Sequence, residues 1–498
     1  MTVLTLVVFL PLAAAGVLAA APRIGDAAAR WAWLGVTVVE VVLVALVWAR
    51  YEAPAAGHLA LDEQVTWIPG VRSSYHVGVD GLSLPLVAMT AVVFLACAVH
   101  SLRERRRPRL HAALLLFLQS VSLGLFVSAD LILFFVFFDL SIVGMYFLIA
   151  GWGHENAARS ALQFFLYTFL GSLALLVGFI GLYVAADPHT FDMLELTAAM
   201  PLAGQGLAGG LVLAAILLGL AVKTPTVPFH TWLPPAHTDA SAVGSAVLAG
   251  VLLKMGTYGF VRIAMPILPE AWRAWAWVII VVGIVSVLYG ALVALAQSNL
   301  KRMVAYTSVN HMGYIVVAVG AAGLIAGDTA AARSVAVTGA VTQMVSHGLI
   351  TSALFLLVGT LRQRAGTYEM GEYGGLARTA PRLAGLFAVG AFASLGLPAL
   401  SGFIAEFQIF TGSIAVAPVT AIMLLGILIT AALFLRALQR VFTGEPRGAS
   451  IGFADLHCPE VWAAGILLAL SLLIGVYPRP LLSAIEPAAS AVVALLGR

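Results

Sequence analysis

The sequence is poor in charge. Only 10% of its 498 residues are Asp, Glu, Lys or Arg, against about 25% in an ordinary soluble domain. That cannot cover a globular surface, so the three soluble domains that this length would accommodate are excluded. Cysteine is nearly missing: Cys97 and Cys458, far apart and outside any CxxC, exclude a disulfide framework, a zinc ribbon and an iron–sulfur cluster within the chain. Lysine is scarce too. Of 26 cationic residues only Lys223, Lys254 and Lys301 are lysine. No P-loop, HExxH or haem-attachment pattern is present, and no basic n-region precedes the first apolar stretch to mark a cleavable signal peptide. Gly204-Gln205-Gly206-Leu207-Ala208-Gly209 fits GxGxxG, but no strand precedes it, so it is not a dinucleotide site.

What is present is apolar: 61% hydrophobic residues and a mean hydropathy of +1.02. A helical span needs about 20 mainly apolar residues. That ruler finds fourteen segments, near 2–21, 31–49, 80–101, 109–128, 130–151, 160–186, 207–232, 239–265, 271–297, 303–325, 335–361, 383–412, 415–438 and 461–482. The runs are continuous and lack the alternation of lipid-facing strands, which excludes a β-barrel. The fold class is thus an all-α polytopic membrane protein with about fourteen transmembrane helices. Phe191–Met200 is too short to span and is expected at the interface. Sorted by loop, 17 cations, including the run Arg103, Arg105, Arg106, Arg107 and Arg109, fall on one side and 7 on the other. The positive-inside rule puts the 17, Lys301 among them, in the cytoplasm and both termini outside.

Two spans carry helix breakers. Lys223-Thr224-Pro225-Thr226-Val227-Pro228 interrupts the seventh, and Gly396-Leu397-Pro398 with Ser401-Gly402 interrupts the twelfth. Each proline removes a backbone donor, which is expected to free the carbonyls of Ala221, Thr224 and Ser394. The breaks occupy the fourth position of two successive five-helix blocks, spans 4–8 and 9–13. An odd number of crossings makes the second block enter from the opposite face, so an inverted repeat with broken helices at a transport site is expected. The domains then read as a three-helix segment at 1–108, a first half-channel at 109–265, a second at 271–440, and a C-terminal loop with the last span at 441–498.

Charges inside the apolar runs are the chemical signal. Lys223 and Lys254 lie within spans seven and eight, Asp139 within span five, Glu406 after Pro398, and Glu40 in span two. Each costs about 2.5–3.5 kcal/mol to insert, and such residues mark ion or proton paths. Lysine, unlike arginine, can lose its proton when desolvated, so it can carry one. His311 and His347, also inside spans, suit a relay, while His230 and His237 beside the first break are proton-uptake candidates.

The segment KTPTVPFHTWLPPAHTDASAVGSAVLAGVLLK, from Lys223 to Lys254, resembles the most diagnostic stretch of the antiporter-like subunits of respiratory complex I and the Mrp-type sodium/proton antiporters. So do Phe137–Trp152, Leu300–Tyr314 and Gly396–Phe410. Within that family an acidic residue at the position of Glu406 is similar to the subunit M type of NADH-quinone oxidoreductase, where other branches carry lysine. The resemblance implies a bacterial inner-membrane subunit that moves protons through Asp139, Lys223, Lys254 and Glu406. It implies no cofactor in this chain. NADH, FMN, iron–sulfur clusters and quinone are expected on partner subunits, with L-, N- and K-type membrane subunits as neighbours and no nucleic acid. A cation/proton antiporter or a hydrogenase-linked subunit is the alternative. The family usually has glutamate where this chain has Asp139, so the implied pair with Lys223 is expected to be looser.

Overall fold

A computed structural model describes residues 3–55, 57–325 and 327–497. Backbone in an apolar medium must satisfy its own hydrogen bonds, and these runs do so as helices. In chain order they are α1 (Val3–Ala20) and α2 (Asp26–Ala49), then strands β1 (Ala60–Ile68) and β2 (Ser73–Val79), then α3 (Leu84–His100), α4 (Pro108–Val127), α5 (Leu131–Trp152) and α6 (Ala157–Ala185). The short α7 (Met193–Ala199) precedes α8 (Gly206–Lys223), α9 (Leu233–Asp239) and α10 (Ala242–Ile267). There follow α11 (Pro269–Ala296), α12 (Leu300–Ala322), α13 (Ala330–Ala365), α14 (Pro381–Ser394), α15 (Ser401–Val416), α16 (Pro418–Phe442), α17 (Cys458–Val476) and α18 (Arg479–Leu496).

Two faces are distinguishable. The hydroxyl of Thr5, in the first turn of α1, donates to Glu63 on β1 at 2.5 Å, whereas Arg109 donates to the Leu18 carbonyl in the last turn of α1 at 2.8 Å. One face therefore carries the hairpin and the other the arginine run. The hairpin was not among the expectations. Its strands pair antiparallel, Val65 opposite Tyr75 and Gln64 opposite His76, and the short turn contains Pro69 and Gly70. Asp130 anchors it by accepting from Ser73 Oγ and the Ser74 amide, both at 3.0 Å, while its other bonds cap α5 through the amides of Ile132 and Leu133.

Helices stand at all fourteen expected places, and α7 lies where the short interfacial segment was expected. Among the described residues thirteen helices are long and apolar enough to cross a membrane, and they are not the same set as the fourteen segments. The twelfth span is split into α14 and α15, and α12 is too polar to qualify. α18 qualifies yet was not expected. Its contacts show that it does not cross. Ala484 near its start packs its carbonyl against Gly81 before α3, Ser490 bonds Ser334 in the first turn of α13 at 2.7 Å, and the Leu496 carbonyl accepts from Arg273 in the first turn of α11 at 2.8 Å. All three partners are on the hairpin face, so α18 runs along that face. Its buried residues Leu481, Ala484, Ile485, Ala489, Val492, Val493 and Leu496 form one helical stripe.

The centre of the bundle is α13. Its most apolar stretch is wholly buried, against neighbours that include α12, α14, α15, α17 and α10. Because protein and not lipid surrounds it, it tolerates Thr338, Thr342, Gln343, Ser346, His347, Thr351 and Ser352. The rims of α6 and α11 instead expose Leu166, Leu170, Val177, Val281, Val285 and Leu292, as lipid-facing or subunit-facing surfaces do.

Candidate functional site

The break after α8 presents Lys223 as the last helical residue, almost fully buried. Its ammonium donates to Ser141 Oγ on α5 at 2.8 Å and lies 4.7 Å from the centre of the Phe138 ring. The pair with Asp139, expected to be looser for the shorter acid, does not close into an ion pair. The two side chains act on one another electrostatically but are not within ion-pairing distance, and one carboxylate oxygen of Asp139 has no hydrogen-bond partner among the described residues. The short aspartate side chain stops before the lysine, and a serine two residues on takes its place. The carbonyl of Ala221 is also not left free, because Thr226 turns back and its amide donates to it at 3.1 Å. The indole of Trp232 bonds the Val222 carbonyl at 3.0 Å, closing the turn that contains Pro225 and Pro228.

A second cluster is more tightly connected. Lys254 sits in α10 between two π-helical turns, Leu248–Leu252 and Phe260–Ala264. Such turns loosen the regular ladder and recur at functional sites. Its ammonium donates to the Ala249 carbonyl at 2.5 Å and meets His347 Nδ1 on α13 at 2.6 Å. The ring of His347 lies 5.3 Å from that of His311 on α12, edge to face. His311 Nε2 donates to the Ser394 carbonyl at 3.2 Å, with the nearer oxygen of Glu406 at 3.7 Å. That carbonyl is the one the Pro398 break was expected to release. A cavity of about 10 Å³ beside His311, His347, Ser394 and Glu406 has room for roughly one water. Lys254, His347, His311 and Glu406 are each no more than 5% exposed.

The remaining candidates stand apart. His230 packs against Tyr289 and Tyr306, with ring centres 5.1 and 6.3 Å away. His237 is not at the surface as an uptake group was expected to be. It is fully buried on α9, stacked on Phe355 at 4.5 Å, and neither ring nitrogen has a partner among the described residues. Glu40 is fully buried, and neither carboxylate oxygen has a partner among the described residues, on a helix that packs chiefly against α1, α3 and α4.

With this geometry in hand, the comparisons decide the family. The model describing the transmembrane region of the NADH:quinone oxidoreductase/Mrp antiporter family matches residues 128–432. The chain belongs to this family. NADH-quinone oxidoreductase subunit M of Rickettsia prowazekii is 39% identical over 427 residues, covering 84% of each chain. The NAD(P)H-quinone oxidoreductase chain 4 1 of Picosynechococcus is 38% identical over 493 residues, covering 96% of this chain and 89% of that one. Among solved structures, a chain of respiratory complex I from Thermus thermophilus superposes with a TM-score of 0.89 at 30% identity, covering 99% of this chain and 100% of that one. A chain of the Mrp complex from Dietzia shares the fold, with a TM-score of 0.85 at 22% identity over 99% and 98%.

For this member of the NADH:quinone oxidoreductase/Mrp antiporter family, the sequence reading missed the third buried lysine. Lys301 was assigned to a cytoplasmic loop. The structure places it as the second residue of α12, with no exposed surface. The signal was available: all three lysines of the chain are buried, and the arginine-for-surface, lysine-for-interior contrast applied to the third as well. Ser141 carried no such signal, since a serine in an apolar helix commonly bonds its own backbone, as Ser141 also does to Phe138.

Proposed function

We propose that this chain is a proton-translocating membrane subunit of an NADH:quinone oxidoreductase, of the M type. The observation that carries the reading is the buried series Lys254, His347, His311 and Glu406, in which each titratable group lies within reach of the next. An ammonium whose neighbours are an imidazole and a carbonyl holds or releases a proton without an opposing ion to fix it. Imidazoles pass it on by accepting at one nitrogen and donating at the other, and a water bridges the remaining gap to Glu406. Lys223 with Ser141 and Asp139 forms a separate loading point in the first half of the chain. Two unit charges about 4 Å apart interact by ~4 kcal/mol at an effective dielectric of about 20. Approach or withdrawal of a charge thus suffices to load or empty such a lysine.

In this reading the subunit does no redox chemistry. NADH, FMN, iron–sulfur clusters and quinone belong to partner subunits, with L-, N- and K-type membrane subunits as neighbours. It sits in a bacterial inner membrane with the arginine-rich face in the cytoplasm and both termini outside. The subunit M relative at 39% identity and the full-length likeness to a complex I chain support the assignment.

The test is Lys223→Met in the purified complex, reconstituted in vesicles, with quinone reduction and lumen acidification followed together. Pumping per electron is expected to fall, and an undiminished ratio removes the channel assignment. A sodium-dependent pH gradient formed without NADH would instead indicate a cation/proton antiporter.

A further inference from the structure

The proposed relay has its outlet at Glu406, while its first member, Lys254, is fully buried and needs an inlet. Lys301 lies where one is needed. Its ammonium donates to the Ala240 carbonyl at 2.5 Å and lies 5.1 Å from the centre of the Tyr368 ring. Ala240 joins α9 to Ser241, the residue whose hydroxyl caps α10, the helix that carries Lys254. The charges facing Lys301 are Asp239, which attracts it, and Arg362, which repels it. Neither is in ion-pairing contact with it among the described residues; Asp239 accepts from Ser160 at 2.5 Å, and Arg362 pairs with Glu155 at 3.2 Å.

Connections lead away on both sides. Toward the arginine-rich face, the Tyr368 hydroxyl is 3.3 Å from Nε2 of His154, a half-buried residue whose backbone amide donates to the Asp239 carbonyl at 2.7 Å. Toward the interior stands His237, which feels the charges of both Lys301 and Lys254 and whose two ring nitrogens have no partner among the described residues. A fully buried ammonium without a bound carboxylate is an expensive way to cap the seven residues of α9. Where the chain needs only a permanent charge next door, at the exposed Arg302, it uses arginine.

We propose that Lys301 is the proton-loading residue at the cytoplasmic inlet of the relay, fed through His154 and Tyr368 and discharging to His237, which hands on to Lys254. The inference rests on the proton-translocating reading above. In the discharge step an N–H bond of the Lys301 ammonium breaks as an N–H bond forms on the neutral imidazole of His237, directly or through water. That leaves a neutral amine and an imidazolium. A hydronium from the arginine-rich side then reloads the amine as His154 and Tyr368 each accept one proton and donate another.

Three variants test it in the whole complex, reconstituted in vesicles and checked for subunit content by co-purification: Lys301→Arg, Asp239→Asn, and Lys254→Met as a control on the reading. Arginine keeps the charge and the bond to Ala240 but cannot release a proton. Acidification per quinone reduced in Lys301→Arg is expected to fall about tenfold or more, and Asp239→Asn is expected to move the alkaline limit of pumping to lower pH. Native pumping in Lys301→Arg reduces Lys301 to a helix cap and overturns the proposal. Should that variant fail to assemble, an unmoved alkaline limit in Asp239→Asn overturns it. Native pumping in Lys254→Met overturns the underlying reading and the inlet with it, whereas a loss in Lys254→Met beside native pumping in Lys301→Arg removes the inlet alone.

Discussion

The ammonium of Lys254 meets Nδ1 of His347 at 2.6 Å across the contact between α10 and α13. Two side chains 93 residues apart in sequence thus meet in one buried contact. Nδ1 accepts there only in a neutral ring, so the pair holds one proton where two separated groups could hold two. Replacing His347 by alanine leaves Lys254 only the Ala249 carbonyl and cuts the path to His311. Acidification per quinone reduced is expected to fall by about tenfold or more, with the subunit still co-purifying. Native pumping in that variant would show that protons bypass α13.

The second prediction concerns reach. Lys223 is held by Ser141 and not by Asp139. In Asp139→Glu one more methylene carries the carboxylate toward the ammonium, and pumping is expected to be retained or raised. In Ser141→Ala the buried ammonium loses its hydroxyl acceptor, costing about 1–3 kcal/mol. A lowered thermal midpoint in Ser141→Ala together with native-like pumping in Asp139→Glu is the expected pattern. Loss of pumping in Asp139→Glu would mean that the shorter acid is required.

On the hairpin face, outside the spans, His76 lies between two carboxylates, with Nδ1 at 2.5 Å from Asp192 and Nε2 at 2.8 Å from Asp62. Burial opposes its charge, but the bond to Asp192 and the charges of both acids outweigh it, so His76 titrates above its ordinary value. Burial likewise raises Asp192, and the bond to His76 outweighs that to hold it below the ordinary carboxylate value. The histidine's contribution is therefore complete below about pH 6.5 and is lost as pH rises through its folded value. That of Asp192 is present above the carboxylate range and is lost on acidification. Protection factors of the amides of residues 60–79, that is exchange corrected for the intrinsic rate at each pH, are expected to be highest in mildly acidic buffer and to fall toward alkaline pH. His76→Gln should abolish that alkaline fall, and an unaltered protection profile in His76→Gln would refute the coupling of the hairpin to His76.

The fourth prediction separates lying along a membrane face from crossing the membrane. Single cysteines introduced at Gly70 in the hairpin turn, Ser483 near the start and Ala494 near the far end of α18, and Arg107 on the opposite face report sidedness with an impermeant maleimide, in a background lacking Cys97 and Cys458. Gly70, Ser483 and Ala494 are expected to react from one side and Arg107 from the other. A label pattern with Ser483 accessible and the far end of α18 accessible only from the Arg107 side would make α18 a span.

Legibility followed the range of the forces involved. Helices, breaks and buried charges are local: an apolar run, a proline or a lone lysine states its cost wherever the chain goes. The release of the Ser394 carbonyl could be foreseen because Pro398 removes a donor four residues away. That the carbonyl would be taken up by His311, 83 residues earlier, depends on how α12 meets the second break. The hairpin was missed because strands Ala60–Ile68 and Ser73–Val79 lie in a polar loop between spans, where a hydropathy ruler has nothing to measure. Lys301 was missed because its neighbours in sequence, Asn299 and Arg302, read as surface.

Composition and sequence alone fixed that this chain lives in a bilayer as helices, broke two of them, and placed ionisable side chains where a membrane tolerates none without cause. Those are one-body costs of moving residues out of water, and no partner is needed to read them. Which group faces which was settled only when α13 threaded the centre of the bundle. It set His347 between Lys254 and His311 and left Asp139 short of Lys223. Hydrogen bonds act over about 3 Å, and distances that small between remote segments exist only after the helices have packed.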